Sequence, residues 1–469
     1  MSRHVKIRQP GCPAERMYHG RVEAPPSGPL RRPRHLAGAI SGPANDRAEA
    51  AALIRDGDVL AFSAMSNWPR ELDAALAERL RTQGGHVEVD AHFIPAGTRL
   101  LTPECADHVT YNTNFFGVER TLAPMGNVHY VPTHLSQTPD WLLSRHPRAA
   151  VLTCSPPDEN GWMSRSIWGT CLNRRLLEQC ELVLAEVHPD MPYIESDGPF
   201  HTKLHVSEVD GIIETSGPLV ETAAVPGNEA DRRIAGYIAD MVPDGACLQL
   251  GLGGLANAVG ENLVYAGKRD LGVQTEVLST GIMELMKAGV VNNSRKEVCT
   301  GRTVCAHLVG GQSLWDFARE NAAFCQKEID FVNDSRVIAQ NRNVVSINNV
   351  LEIDLTGQAN AETVGSCQYS GTGGQLEWVI GSQWSPGGKS ILALRSSYKD
   401  KAGQLHSKIV PQLAPGSVVT TPRTWVQYVV TEYGVADLKY KSALERARAL
   451  IAIAHPDFRA ELAAAVKNL

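Results

Sequence analysis

A single carboxylate, Glu276, is the side chain in this sequence best placed for covalent chemistry. It lies in the stretch 271–296, where an apolar, strand-like run is predicted to give way to a turn and then to a helix. Functional groups of α/β proteins collect at the carboxyl ends of strands, so this position predicts a catalytic carboxylate. A lone glutamate there is more often an ordinary surface residue, and its role therefore depends on the groups that meet it.

Two glycine-rich segments are further candidates because their backbone N–H groups could approach an anionic ligand. Gly251, Gly253 and Gly254 follow a predicted strand and open a predicted helix, which suits a phosphate or another anion. The segment also fits the GxGxx(G/A) pattern of a dinucleotide-binding turn, with Asp270 and Glu276 further along. A nicotinamide-dependent dehydrogenase therefore stays open as an alternative, as does a tight turn that binds nothing.

The second segment contains Gly371, Gly373 and Gly374 within four positions. Such a loop allows positive φ and close approach of a ligand to the backbone, so a pair of its N–H groups could form an oxyanion hole. Asn348 is predicted to precede a strand over 350–355 and could donate an amide hydrogen bond into a cleft. Without further context a flexible loop explains the glycine segment equally well, and an asparagine near a turn is structural far more often than catalytic.

Metal binding has weaker support. His201 and His205 have the i, i+4 spacing of a metal-binding pair, but no third ligand accompanies them, and the local pattern is that of a strand. No metal is therefore expected. Lys408 and Arg423 lie in polar-ended strand patterns, and either could bind a phosphate group, although an exposed lysine usually binds no ligand.

The composition is that of an ordinary globular protein. The 469 residues are 43% hydrophobic, the net charge is -6 and the pI is about 6.2, so no general attraction to nucleic acid or to a membrane surface is expected. No run of about 18 apolar residues is present, and the N-terminus has no apolar signal segment. The ten cysteines are scattered and form no CxxC pair, which is typical of reduced thiols. We therefore expect a cytoplasmic protein.

Predicted strands and helices alternate from about residue 46, and the alternation positions the candidate residues. Apolar strands are predicted at 59–64, 87–89, 128–131, 149–154 and 182–187. The pattern restarts after a proline- and glycine-containing linker at 216–229, with a helix over 230–241 and a strand over 247–250. Such alternation predicts mainly parallel sheets with helices on both faces. The two halves begin alike, although no clear internal sequence repeat is present.

We therefore divide the chain into three parts. A basic, proline- and glycine-rich arm covers 1–45, an N-terminal α/β domain covers 46–220, and a C-terminal α/β domain with Glu276 covers 228–469. The first 40 residues contain eight Lys or Arg residues against two Glu residues. A solvated arm is the simplest interpretation, and an arm that guides an anionic ligand or contacts a neighbouring subunit is the alternative.

Together the motifs resemble those of the acetyl-CoA hydrolase/transferase family of class I CoA-transferases, which includes 4-hydroxybutyrate, butyryl-CoA:acetate and succinyl-CoA:acetate CoA-transferases. The resemblance covers roughly 47–465 and rests on ordered segments that include SPPDENGW, LAEVHPDMP, QLGLGGLANAV, VQTEVLSTGIMELMKAGVVNN, INNVLEIDLTGQAN, SGTGGQLEW and VTEYGVADL. The residues just before the glutamate, Val273, Gln274 and Thr275, depart from the family's usual pattern, which leaves the choice of substrate acid open.

The resemblance implies two open α/β domains with mainly parallel sheets and an active site in the cleft between them. It implies that Glu276 is the nucleophile and that Asn348 lies beside the reacting carbonyl. Gly373 or Gly374 would supply a backbone donor. The glycine turn at 251–254 would border the thioester, with its three glycines and Lys408 as the residues that bind coenzyme A.

The implied function is transfer of CoA from an acyl-CoA to a small carboxylic acid through a covalent glutamyl-CoA thioester. CoA would be a substrate, and neither a metal nor NAD would be needed. The resemblance also implies a homo-oligomer, a dimer or a tetramer. Arg302, Arg342 and Arg395 could pair with a second carboxylate, which would suit a dicarboxylate such as succinate or itaconate. An acyl-CoA hydrolase of the same family and a non-catalytic acyl-CoA-binding protein stay open as alternatives.

Overall fold

The computed structural model describes residues 46–223 and 226–466. The predicted basic arm at 1–45 therefore lies outside the described residues, as does part of the predicted linker at 216–229. In the described chain, strands are labelled in chain order and helices are named by their bounds.

The first half contains β1 (Val59–Phe62), β2 (Val87–Ala91), β3 (Val109–Thr113), β4 (Val128–Tyr130), β5 (Ala149–Cys154), β6 (Trp162–Ser164), β7 (Leu182–Val187), β8 (Lys203–His205) and β9 (Gly211–Glu214). Its α-helices span Arg47–Ala52, Arg70–Gln83, Glu119–Leu122, Thr138–Ser144 and Arg174–Gln179.

The second half begins with β10 (Cys247–Leu250), β11 (Gly272–Ser279), β12 (Thr303–Val309), β13 (Phe324–Gln326) and β14 (Val344–Asn349). It continues with β15 (Glu352–Asp354), β16 (Ala359–Asn360), β17 (Thr363–Val364), β18 (Cys367–Gln368), β19 (Lys389–Ala393), β20 (Ser397–Lys399), β21 (Leu405–Ser407), β22 (Ile409–Val410), β23 (Tyr428–Thr431) and β24 (Gly434–Asp437). Its α-helices span Glu229–Met241, Gly254–Tyr265, Thr280–Lys287, Gln312–Ala318, Ile329–Val332, Ser335–Ile338, Gln375–Trp384, Ala443–Ala452 and Arg459–Ala465.

Two large sheets dominate the structure, and they share one topology. The first has seven parallel strands in the order β4-β3-β2-β1-β5-β7-β9. The second has the order β13-β12-β11-β10-β14-β19-β23-β24, and only β24 runs antiparallel to its neighbour. In both, the chain builds outward from β1 or β10 in one direction and then returns to build in the other. The predicted mainly parallel α/β fold is confirmed, whereas the exact domain boundaries at 46–220 and 228–469 remain our proposal.

The reversal of strand order marks where a ligand is expected to bind. In open parallel sheets the crevice lies at the carboxyl ends of the two strands from which the chain turns in opposite directions. In the second sheet these strands are β10 and β14. The glycine turn at 251–254 follows β10, and Asn348 lies near the end of β14.

Local sequence explains how the helix Glu229–Met241 begins beside this crevice. Asn228 Oδ1 accepts a hydrogen bond from the N–H of Asp231 at 2.9 Å, and Asp231 Oδ2 accepts one from the N–H of Asn228 at 3.0 Å, so two helix-start N–H groups have partners. Ile234 and Ile238 lie on the buried face of this helix. Packing of that face fixes the helix against the second sheet's core.

Most predicted elements lie where the sequence indicated, and the two differences concern candidate residues. Glu276 was expected at the end of a strand, but β11 continues to Ser279 and the next helix starts at once at Thr280. Asn348 was expected before a strand, but it belongs to β14. Both strands lie inside the sheet between two neighbours, and their nearly continuous burial keeps the polar residues in extended conformation.

Each half has its own apolar core and one further apolar cluster, and another cluster joins residues of both halves. No helix in 46–223 or 226–466 is both long enough and apolar enough to cross a bilayer.

One buried group stands out within the first sheet: Glu186 of β7 is fully buried, and its Oε1 accepts a hydrogen bond from the N–H of Leu72 at 2.8 Å. Burial raises the pKa of Glu186 to about 8.

We expect the Glu186→Gln variant to lose part of the pH dependence of stability. Between pH 4.5 and about 8 the folded protein keeps the Glu186 proton that the unfolded chain releases. The folded state then binds more protons, so the free energy of unfolding falls as pH rises through this range. Glutamine stays neutral and keeps the acceptor for Leu72, so denaturant unfolding at several pH values should give a shallower fall. The exposed Glu78→Gln serves as control, and equal slopes for wild type and Glu186→Gln would contradict the prediction.

Candidate active site

Glu276 lies within β11, and its carboxylate is held by residues of two other segments of the second half. Its neighbours Thr275 and Val277 are buried, whereas Glu276 is partly exposed. Its Oε2 accepts a hydrogen bond of 2.9 Å from Nδ2 of Asn333, and its carboxylate also accepts one from the backbone N–H of Gly374. Two fixed N–H groups thus hold one carboxylate.

The ionisation of Glu276 is set by these surroundings. Burial raises its pKa above the usual value for glutamate, and the hydrogen bonds from Asn333 and Gly374 act in the opposite direction. No arginine or lysine is among the groups that shift this pKa. The carboxylate is therefore stabilised by neutral donors and is not neutralised in an ion pair, which leaves its oxygens available as a nucleophile.

The glycine loop at 371–374 is shaped by contacts that exclude side chains. A Cβ at Gly374 would collide with Oε2 of Glu276 and with Nδ2 of Asn333. A Cβ at Gly371 would collide with the carbonyl oxygen of Asn114, which belongs to the first half. Gly373 has a φ of +56°. The helix Gln375–Trp384 begins directly after this loop, so the N-terminus of the helix lies next to Glu276.

Asn333 was not among the predicted site residues, and it connects Glu276 with a second carboxyl group. Its Nδ2 lies 2.9 Å from Oε2 of Glu276 and 3.2 Å from Oε2 of Glu377. Glu377 in turn accepts hydrogen bonds from the hydroxyl and the backbone N–H of Ser136, a residue of the first half. Burial raises the pKa of Glu377 to about 8.

The predicted residues Gly251, Glu276 and Asn348 lie level with one another across three strands. The register pairs Leu248 with Val273 and Leu250 with Ile347, so its continuation puts Gly251 between Glu276 and Asn348. Adjacent strands lie about 4.8 Å apart, so β11 and β14 are separated by roughly 10 Å here. Because β10 ends at Leu250 while β11 continues, a crevice opens beside Glu276.

Asn348 does not contact Glu276 directly in the hydrogen-bond network. It exchanges two hydrogen bonds with Gln249, of 3.1 and 3.2 Å, and is 9% exposed. Gly253 has a φ of +101°, and a Cβ at Gly254 would lie 3.0 Å from the carbonyl oxygen of Pro226. The glycine turn is thus required by backbone conformation and close packing, and its role towards a ligand remains a prediction.

Lys408 lies further from Glu276, in a separate basic cluster. It lines a cavity of about 750 Å³, together with residues that include Tyr398, His406 and Phe458. Burial lowers the pKa of Lys408, and the charge of Arg395 lowers it further. Arg395 follows β19 at the carboxyl edge of the second sheet and binds Asp231 with contacts of 2.8 and 3.0 Å. Asp231 packs against Gly254, the first residue of the helix that follows the glycine turn.

Several other predicted candidates do not reach the site. Arg302 and Arg342 precede β12 and β14, at the amino edge of the sheet, so the structure does not bring them to Glu276. Arg302 pairs there with Asp197 at 2.6 Å. His201 contacts Arg174, and His205 contacts Ser207 and Asn160, so they do not converge on one point. Within 46–223 and 226–466 no group of three metal-ligating side chains is present.

Three aromatic side chains of the first half, Phe93, Phe115 and Trp168, form a packed group, here called the aromatic wall, that meets the second sheet at His307. Phe93 lies 5.1 Å from Trp168 and 5.4 Å from Phe115, between ring centres. Trp168 stacks on His307 at 4.4 Å, and His307 pairs in register with Val277 next to Glu276. Burial holds the pKa of His307 well below its usual range, so the ring is neutral. The wall is therefore uncharged and apolar.

Sequence reasoning missed Asn333, Glu377, Ser136 and this aromatic wall. Glu377 lies within the quoted motif SGTGGQLEW, three residues after Gly374, so its proximity could have been inferred from a helix that starts at the loop. Asn333 lies between two four-residue helices, and no spacing links it to Glu276. Ser136 and the wall belong to the other half of the chain.

Comparisons with known proteins find similar domains, sequences and structures. The acetyl-CoA hydrolase/transferase N-terminal domain model matches 44–223, and the corresponding C-terminal domain model matches 310–466. Succinyl-CoA:cyclohexane-1-carboxylate CoA transferase of Geobacter metallireducens is 40% identical, over 90% of this chain and 94% of that protein. Butyryl-CoA:acetate CoA-transferase of Anaerostipes caccae is 37% identical, over 88% and 93%. The crystal structure of RipA from Yersinia pestis matches with a TM-score of 0.84 and 36% identity, over 90% and 96%.

We expect Gly374→Ala to abolish most activity, because its methyl group would displace both Glu276 and Asn333. A misplacement of about 1 Å typically costs on the order of 100-fold in rate. The measurement is kcat for CoA transfer between two carboxylic acids, the activity named for the relatives. Gly236→Ala is the matched control, because its Cβ would have no atom within 4 Å and it lies in a helix. Wild-type kcat in Gly374→Ala would contradict the assigned geometry.

Proposed function

The chain belongs to the acetyl-CoA hydrolase/transferase family and is a CoA-transferase, and we propose that Glu276 is the nucleophile that carries CoA between two carboxylic acids. One observation carries the proposal: the Glu276 carboxylate is held by two N–H donors, and within 46–223 and 226–466 it forms no ion pair with a lysine or arginine. Such a group stays nucleophilic while its position is fixed. The closest alternative in the family, an acyl-CoA hydrolase, would use the same residue with water as the acceptor.

The first half of the reaction transfers an acyl group and then CoA to Glu276. The carboxylate attacks the thioester carbonyl, the C–S bond breaks, and an acyl-glutamyl anhydride and the CoA thiolate are formed. The thiolate then attacks the glutamyl carbonyl, the first carboxylate leaves, and Glu276 carries CoA as a thioester. The acceptor carboxylate reverses both steps. Free energy of the thioester is kept because each intermediate is itself an activated acyl group.

The donors that hold Glu276 also suit the transition states at its own carbonyl. When thiolate or acceptor attacks the glutamyl carbon, negative charge develops on a glutamyl oxygen. Asn333 and the Gly374 N–H already point at that carboxyl group, so little reorganisation is needed. A well-placed donor of this kind contributes about 3 kcal/mol. Gly373, Asn348 and the turn at 251–254 are proposed to face the substrate carbonyl on the other side of the crevice.

Exclusion of water is the second requirement, since water would hydrolyse the anhydride and the thioester. The apolar wall of Phe93, Phe115 and Trp168 supports this role.

We propose that the turn at 251–254 and the basic cluster of Lys408 and Arg395 bind coenzyme A, whose phosphates carry negative charge. A small carboxylic acid is the proposed acceptor. For a dicarboxylate such as succinate or itaconate, Arg395 is the one of the three suggested arginines on the correct edge. A cytoplasmic homo-oligomer remains part of this proposal.

We expect Glu276 to be labelled during turnover. Incubation with an acyl-CoA and hydroxylamine should convert the glutamyl thioester to a hydroxamate with release of CoA, and peptide mass mapping should find the modification at Glu276. Glu276→Ala should show no label and a loss in kcat on the order of 10⁴-fold or more. Glu284→Ala removes an exposed glutamate of the next helix, so it is the matched control and should still be labelled. A label on any other residue would overturn the assignment.

We expect CoA release to depend on an acceptor acid. With acyl-CoA alone the protein should consume about one equivalent per site, and added acetate or succinate should start steady turnover with ping-pong kinetics. The measurement is free thiol released with and without the carboxylate. Equal steady rates in both conditions would identify the acyl-CoA hydrolase instead, since water would then be the acceptor.

A further inference from the structure

We propose that Glu377 is a positioning residue that stays protonated in the resting enzyme and orients the nucleophile through the amide of Asn333. The proposal deepens the function proposed above and rests on it, since Glu276 must be the nucleophile for its orientation to matter. Glu377 is 8% exposed. Its carboxyl group accepts hydrogen bonds from Ser136 and Asn333, so we assign it a role in positioning and no direct contact with substrate.

The first argument is the set of groups around Glu377. Its carboxyl oxygens meet the hydroxyl and N–H of Ser136 and the amide of Asn333, and none of these carries a positive charge. The charged group that acts on it is Glu276, which has the same sign. When two carboxyl groups share a site without a cation, one of them keeps its proton. Glu377 is the more buried of the two, whereas Glu276 is partly exposed, so we assign the proton to Glu377. This agrees with its pKa, which burial raises to about 8.

Neighbouring elements supply no compensating charge. Asp334 and Arg336 lie at the helix Ser335–Ile338, which packs on the helix that contains Glu377. They form an ion pair with each other, in which the Arg336 side chain is exposed and the Asp334 side chain is largely buried. His134, at the start of the turn that contains Ser136, has its pKa lowered by burial and is neutral near pH 7. Burial and the charge of Glu276 therefore favour the neutral acid, and they outweigh the hydrogen bonds from Ser136 and Asn333, which act in the opposite direction.

The second argument is the geometry of the Asn333 amide. Its nitrogen carries two hydrogens, and the two acceptors within reach are Glu276 at 2.9 Å and Glu377 at 3.2 Å. Its Oδ1 is buried and has no hydrogen-bond partner among the described residues. The amide is thus held only through its nitrogen, so loss of the Glu377 acceptor would free it to rotate away from Glu276.

Protonation of Glu377 determines how strongly it competes with Glu276 for the Asn333 amide. A neutral acid accepts one N–H of Asn333 without competing for the amide as strongly as a carboxylate would. An ionised Glu377 would add a second negative charge next to Glu276 and would repel the CoA thiolate and the acceptor carboxylate. Because Ser136 comes from the first half, the same chain of hydrogen bonds makes the nucleophile's orientation depend on contact between the two halves.

The decisive experiment compares Glu377→Gln and Glu377→Ala in pH profiles of kcat and KM. In wild type, kcat should fall as pH rises through about 8, where Glu377 ionises. Glutamine mimics the neutral acid, so Glu377→Gln should stay within about threefold of wild type at neutral pH and should lose that fall. Glu377→Ala should lose kcat about tenfold or more with little change in KM, because Asn333 loses its second acceptor.

Glu186→Gln is the matched control. Glu186 is also a buried acid whose pKa is about 8, but it lies in β7 of the first sheet and contacts Leu72. Its replacement should leave the pH profile of kcat unchanged. The proposal is overturned if Glu377→Gln retains the alkaline fall of wild type, or if it is as impaired as Glu377→Ala at neutral pH.

An infrared difference spectrum tests the protonation without relying on activity. At neutral pH the carbonyl stretch of a protonated carboxyl group should disappear in Glu377→Gln relative to wild type, and an ionised Glu377 would instead remove a carboxylate band and overturn the proposal. This result is independent of the hydroxylamine label. A missing label with a protonated Glu377 would refute the role of Glu276, whereas a label at Glu276 with an ionised Glu377 would refute only the present inference.

Discussion

Glu276 loses much of its hydration, and no lysine or arginine in the described part of the chain forms an ion pair with it. Transfer of an unpaired carboxylate out of water is costly, and such a group normally takes up a proton. The compensation here comes from two neutral donors, the amide of Asn333 and the N–H of Gly374. The use of neutral donors constrains the surrounding structure. Residue 374 must be glycine, a helix must start there, and the Asn333 amide must be held by further groups. An arginine in the same place would have stabilised the charge at the expense of its nucleophilicity.

The general architecture was predictable from sequence because it depends on patterns within single segments. Apolar runs such as 149–154, 182–187 and 247–250 matched β5, β7 and β10, and alternation with helices gave the parallel sheets. Extended runs that contain polar residues were harder to place. Glu276 and Asn348 were both assigned to strand boundaries, since a buried polar residue inside a strand looks like its end when the partners that bury it are unknown.

Residues that meet only in three dimensions were not predictable. Asn333 is far along the chain from Glu276 and comes from a short connection without periodicity. Ser136 and the aromatic wall come from the other half, so one segment alone gives no sign of them. The arginines illustrate the converse error. Arg302, Arg342 and Arg395 look equivalent in the sequence, yet parallel strands have two distinct edges, and only Arg395 lies on the edge with the glycine turn.

The two sheets share a strand order, but the two halves of the chain contribute different kinds of residue to the site. Chemistry is concentrated in the second half, where Gly374 is confined by Glu276 and Asn333, and Gly371 by the backbone of Asn114. The wall contributed by the first half is held by apolar packing, which tolerates changes of shape far better than a hydrogen-bonded carboxylate does. The site should therefore tolerate a change of shape at a position such as Phe93 better than within the loop at 371–374, where an added Cβ at Gly371 or Gly374 would collide with fixed neighbours. Laboratory diversification would do well to follow the same division.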